Sequence, residues 1–238
     1  MALGSQPRWA MRSADTQVGI DVGLREYMLR VYNYMASGLA LTGIVAYVAA
    51  ASGFYASIAH TPLIWLVILA PLGLVMLMSF GVQRMQASTL QLVFWGYSAL
   101  MGLSLAVLFI VFTHESIARV FFITAGTFAA MSLYGYTTRR DLTQFGSFLF
   151  MGLIGIIIAS LVNMFIASSA LQFAVSVIGV LVFTGLTAYD TQQIKEMYYE
   201  GDSSEIAGKK AIMGALRLYL DFINLFMMLM QLLGTRRN

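Results

Sequence analysis

AIMGALRLYLDFINLFMMLMQLLG, residues 211–234, carries Arg217 and Asp221 inside an apolar run. The run is long enough to cross a bilayer, for which about 20 residues suffice. Arg217, Asp221, Asn224, Met228 and Gln231 follow one another at intervals of four, three, four and three. That spacing places them on one face of a helix, with Leu, Ile, Phe and Met on the others. In a helix starting at Ala211, Asp221 lies about 15 Å along the axis, near the midplane of a hydrocarbon core roughly 30 Å thick. A carboxylate at that depth costs roughly 2.5–3.5 kcal/mol of insertion energy. A polar stripe facing protein or water avoids most of this cost, so the spacing predicts a helix through the middle of a bundle.

The composition fits such a setting. Of 238 residues, 59% are hydrophobic and only 11% charged, with a mean hydropathy of +0.79. Soluble domains are about 25% charged. The expected class is an all-α polytopic membrane protein. With no Cys, disulfides and thiolate chemistry are excluded. His60 and His114 read as loop residues, and no HExxH pattern occurs.

Residues 1–23 contain no apolar run and no signal-peptide core, and are expected to form a mobile cytoplasmic tail. Residues 24–238 form the transmembrane domain. GLREYMLRVYNYM leads amphipathically into the first of seven spans. Hydropathy places these at about 31–51, 62–80, 90–112, 117–136, 146–166, 172–191 and 211–233. Pro62 suits a first turn, and Pro71 is expected to kink the second span. In the fifth span, Gly152, Gly155, Ala159 and Asn163 read as a close-packing face. The tail and the loops on its side hold ten Lys and Arg; the opposite side holds Arg119, Arg236 and Arg237. The positive-inside rule then puts the N-terminus in the cytoplasm and the C-terminus outside.

The sixth span ends in VLVFTGLTAYDTQQIKEMYY, with Asp190 near the cytoplasmic surface and Thr187 and Thr191 beside it. Asp190 reads either as a helix-end charge facing headgroups or as a partner of Asp221. Two carboxyls in contact cannot both ionise cheaply; such a pair titrates as a unit and acts as a proton switch. Its oxygens also suit a hard cation such as Ca²⁺. Arg217, one turn before Asp221, is positioned for an ion pair within the helix. Arg84, in SFGVQRMQASTL, is either a topology anchor or a cation reaching the pair from the second span. Glu115 in THESIARV reads as an outer-loop or helix-start charge, and Arg139, Arg140 and Asp141 as a cytoplasmic turn. The loop KEMYYEGDSSEIAGKK, residues 195–210, is expected to be solvated.

No nucleophile stands at motif spacing from a base. TAYDTQQ and LYLDFIN lack the Gly-rich surroundings of an intramembrane aspartic protease. A non-enzyme is expected.

SLYGYTTRRDLTQFGSFLFMGLIGIIIASLVNMF, VLVFTGLTAYDTQQIK and LRLYLDFINLF resemble the Bax-inhibitor-1 (transmembrane Bax inhibitor motif) family, in its bacterial branch. The resemblance covers nearly all the chain after about residue 24. It implies seven helices with the last surrounded by the other six. It further implies that Asp190 and Asp221 form a pH-sensing pair, latched by an Arg of the second helix, for which Arg84 is the candidate. The implied activity is a pH-dependent Ca²⁺ leak or cation transporter of the bacterial inner membrane. The alternative is an interaction protein that modulates another membrane protein, such as a membrane-bound protease. The partners on the first reading are lipid, Ca²⁺ and protons, without nucleic acid or bound cofactor.

Overall fold

A computed structural model describes the backbone of residues 8–237 and the side chains of residues 22–237. The tail expected over residues 1–23 falls, up to residue 21, outside the described side chains. The chain forms α1 (Arg8–Ala51), α2 (Phe54–Ala59), α3 (Leu63–Gly81), α4 (Ala87–Val111), α5 (His114–Thr137), α6 (Thr143–Ile166), α7 (Ser169–Glu196) and α8 (Ser204–Leu233). Seven of these are long and apolar enough to span a membrane, the first of them over Val22–Ala51. The fold is all-α and polytopic.

Local chemistry sets the helix ends. Thr113, Ser168 and Ser203 cap α5, α7 and α8, accepting from the N–H groups of Ser116, Leu171 and Ile206. Asp141 Oδ1 accepts from Thr143 N at 2.8 Å at the start of α6. The Thr143 hydroxyl and this backbone N–H together hold the Asp141 carboxyl below the usual carboxylate range. The stretch 195–210 is solvent-facing as expected, with no residue buried, but the Ser203 cap makes much of it helix rather than loop. α7 runs on to Glu196, and α8 begins seven residues before the apolar run. α3 continues through Pro71, which is buried. The short helix α2 was not expected; it fills the turn between α1 and α3.

α8 is the axis of the molecule. Two-thirds (67%) of its most apolar window is buried, against 17% for α3 and for α6. α1, α4, α5 and α7 pack directly on it, while α3 packs outside α4 and α6 outside α7. The six thus surround α8 in two tiers.

Close approaches are set by glycines. A Cβ on Gly102 of α4 would lie 2.5 Å from Thr42 O of α1, and one on Gly135 of α5 would collide with Ala188 O of α7. On α6, Gly152 lies against Val182 of α7, but Gly155 meets nothing within 4 Å. The expected face is therefore corrected: α6 turns Gly152, Ile156 and Asn163 to α7 and leaves Gly155 outward. Residues three apart are offset by about 60° on a helix of 3.6 residues per turn, so with Gly152 facing α7 Gly155 falls to the edge of that seam.

Candidate functional site: a carboxyl pair between α7 and α8

α7 and α8 run antiparallel, and their register fixes the site. Ile194 lies against Gly214, Met228 against Gly179, and Gln231 bonds Ser176. By this register Asp190 is level with Leu218, about one turn short of Asp221. Side chains lean toward the N-terminus of their own helix. In an antiparallel pair, Asp221 therefore leans toward the end of α7 and Asp190 leans inward, which closes the gap. The two carboxyls face each other closely enough for each to act on the other. Asp221 is 5% exposed, and its Oδ2 is buried with no hydrogen-bond partner. Asp190 is partly buried.

The cation near this pair is Arg217. Its charge acts on both aspartates. It does not form the expected ion pair with Asp221: the salt bridges among the described residues are Lys209–Glu205 and Lys210–Asp202. Arg217 is exposed, in a recess of about 360 Å³ that it shares with Gln83, Lys209 and Lys210. Arg84 is exposed in the turn after α3 and makes no salt bridge. The structure brings Asp190, Asp221 and Arg217 together and leaves Arg84 outside.

The neighbouring hydroxyls do not serve the pair. Thr187 donates to Phe183 O at 2.8 Å and Thr191 to Thr187 O at 2.7 Å, both along their own helix. Asn224 donates to Leu220 O at 2.8 Å. Below Asn224 the stripe is interrupted where Met228 fills the space over Gly179. Beyond this apolar plug lies a polar cluster: Gln231 Oε1 accepts from Ser176 Oγ at 2.8 Å and from Gln172 Nε2. Gln172 Oε1 in turn accepts from Asn163 Nδ2 at 3.1 Å. The stripe is thus two polar stations on either side of a methionine.

Sequence reading missed Gln172 and Ser176, because a lone Ser or Gln in an apolar span gives no signal until its partner is known. It also missed Gln192, which donates to Arg140 O and accepts from Leu142 N, clamping the α5–α6 turn at 2.8 and 2.9 Å. Lys195 reinforces that clamp by donating to Tyr136 O at 2.8 Å.

Seven spans around a central helix that turns the Asp221 carboxyl into the protein define a polytopic helical membrane protein. The family described as "Inhibitor of apoptosis-promoting Bax1" matches residues 24–238. The chain belongs to this Bax inhibitor-1 family. It is 52% identical over 219 residues to an uncharacterized protein of Rickettsia prowazekii, covering 92% of this chain and 93% of that one. It is 50% identical over 228 residues to the inner membrane protein YbhL of Escherichia coli, covering 94% and 97%. An uncharacterized membrane protein of Streptococcus pyogenes is 32% identical over 217 residues, 90% of this chain and 94% of that one.

Proposed function

We propose that the protein is a pH-sensitive leak for Ca²⁺ or a similar hard cation, set in a bacterial inner membrane with its N-terminus in the cytoplasm. The observation that carries this reading is the buried Asp190–Asp221 contact with an unpartnered carboxyl oxygen, Asp221 Oδ2. A purely structural polar pair would be expected to have its hydrogen bonds filled. On this reading the two carboxyls share a proton, since two anions side by side are costly, and Arg217 balances the remaining charge at a distance. A change in proton number removes that balance. Full ionisation sets two anions against each other, and full protonation releases the hold on Arg217.

Cargo chemistry agrees. Two carboxyls supply at most four oxygens, fewer than the six to eight that Ca²⁺ takes in a storage site. Among the described residues no group of three or more His, Asp and Glu converges. A partial shell suits an ion that must leave again. The path runs from the Arg217 recess past the pair and Asn224 to Gln231, and is closed at Met228. No chemical step is assigned; the reading is transport rather than catalysis.

The test is ion flux into liposomes that contain this protein alone, with a Ca²⁺ indicator inside, across about pH 5 to 8. Flux that follows pH in the wild type and loses that dependence in Asp190→Asn and Asp221→Asn is the expected result. Folded protein that conducts at no pH sinks the leak and leaves a modulator of another membrane protein.

A further inference from the structure

We infer that the cleft between α1 and α5 is a binding site for an anionic phospholipid, and this stands whether or not the protein conducts. The cleft has a volume of about 1020 Å³ and is floored by Phe222 of α8. That is at the upper end of the roughly 300–1,000 Å³ of ligand pockets. Its long walls are apolar: Leu39, Gly43 and Ile44 on α1, and Phe121, Ala125 and Leu133 on α5. Both helices are spans, so the opening faces lipid, and an acyl chain is the apolar chain available there. On α5 the lining runs from Phe121 to Tyr136, about 22 Å at 1.5 Å per residue, which is ample for one leaflet of a core roughly 30 Å thick.

Polar groups gather at one end. Arg25, Tyr32, Ser132 and Tyr136 line the cleft there. Tyr32 Oη and Ser132 Oγ, 2.6 Å apart, join its two walls. Arg25 is exposed and makes no salt bridge among the described residues. Lys195 lies over the Tyr136 ring at 5.4 Å, a second cation at the same end. Arg139 and Arg140 follow in the adjoining turn. No acidic residue lines the cleft; Glu26 lines a different recess, together with Arg30. An apolar trough closed by cations at one mouth complements a phospholipid with net negative charge, its phosphate at Arg25 and a chain along Leu39 and Ala125. A neutral lipid fills the trough equally well but gains nothing from Arg25.

The experiment uses the full chain in vesicles of mixed phosphatidylcholine and phosphatidylglycerol, with bromine on the phosphatidylglycerol chains only. Trp9, Trp65 and Trp95 are replaced by Phe. A single reporter is then placed in the cleft by Leu133→Trp, or at the same end of α6 by Phe148→Trp; both positions are exposed, at 63% and 66%. One basic residue near an anionic surface favours the anionic lipid about fivefold. The cleft reporter is expected to show about that enrichment over the α6 reporter, to lose it with Arg25→Ala and to keep it with Arg25→Lys. Equal quenching at the two positions, meaning annular lipid only, overturns the proposal. So does enrichment that survives Arg25→Ala, or a cleft reporter that no brominated lipid quenches because a second copy of the chain covers it.

Discussion

Asp221 combines three properties that do not coexist in a merely structural residue: it is ionisable, it is 5% exposed, and one of its oxygens lacks a donor. Burying a polar group without a partner costs about 1–3 kcal/mol by the measure of protein mutations. Asp221→Asn supplies an N–H₂ donor to Asp190 and removes the need for a shared proton, so it should fold at least as well as the wild type. Arg217 separates the present reading from the resemblance that pointed to Arg84. An opposite charge within a few ångströms shifts a carboxyl by about one to three pH units. Arg217→Gln is therefore expected to move the pH midpoint of the proposed leak upward, because a cation that favours the ionised carboxyls is lost, and Arg84→Gln to leave it in place. Liposome flux against pH for the two variants decides, and equal shifts would return the latch to Arg84. Asp221 was legible in the sequence because a charge in a 24-residue apolar run is conspicuous, whereas Asp190 at a helix end read equally as a headgroup-facing charge until Asp221 was set beside it. The choice between the two arginines was not, because it depends on where the α3–α4 turn lies in space. The resemblance nominated Arg84 by helix number; the residue whose charge acts on both aspartates is the one a turn from Asp221.

At the scale of elements, the α7–α8 seam contains the carboxyl pair and, on the proposed reading, the obstacle to conduction. Met228 over Gly179 separates the aspartates from the Gln231, Ser176 and Gln172 cluster. Met228→Ala should leave a continuous polar seam and raise basal flux at every pH, while the pH dependence set by the pair persists. Unchanged flux would place the closure elsewhere. The glycines make a separate prediction, about stability. Gly135→Ala forces its methyl against Ala188 O and is expected to cost about 1–3 kcal/mol. Gly155→Ala adds a methyl to open space and should stay within about 0.5 kcal/mol. Thermal unfolding in detergent measures both. Of these two, only Gly155 was singled out from the sequence, by its place in a small-residue row. Spacing along one helix identifies a possible seam, but which glycine touches a backbone depends on the crossing with a partner helix. The same limit explains the helix ends. Hydropathy sees the apolar run of α8, whereas its first seven residues are held by the Ser203 cap and the Lys209–Glu205 pair, which are polar and read as loop.

For the whole molecule, the central question is which way it faces, and the fold makes a sharper test possible than charge counting alone. Seven spans put the two ends of the chain on opposite sides. The end that carries the α5–α6 turn, the α7–α8 turn and the Arg217 recess holds most of the Lys and Arg. At the other end the last residues are not a loose extension. Thr113 N donates to Thr235 O at 3.0 Å, Arg237 N to Val111 O at 2.9 Å, and Thr235 N to Ser116 Oγ at 2.8 Å. An isolated antiparallel bridge between Phe112 and Arg236 closes this arrangement. The basic pair Arg236–Arg237 is thus fastened to the α4–α5 turn. The chain contains no Cys, so single cysteines report topology without a background to remove. In intact cells, a membrane-impermeant maleimide is expected to label Thr61→Cys in the α2–α3 turn and to miss Arg139→Cys. In inverted inner-membrane vesicles the pattern should reverse. The opposite result would put Arg217 and the mouth of the lipid cleft on the outer face. The pair would then respond to external rather than cytoplasmic pH, which changes the direction of control while leaving the carboxyl contact intact.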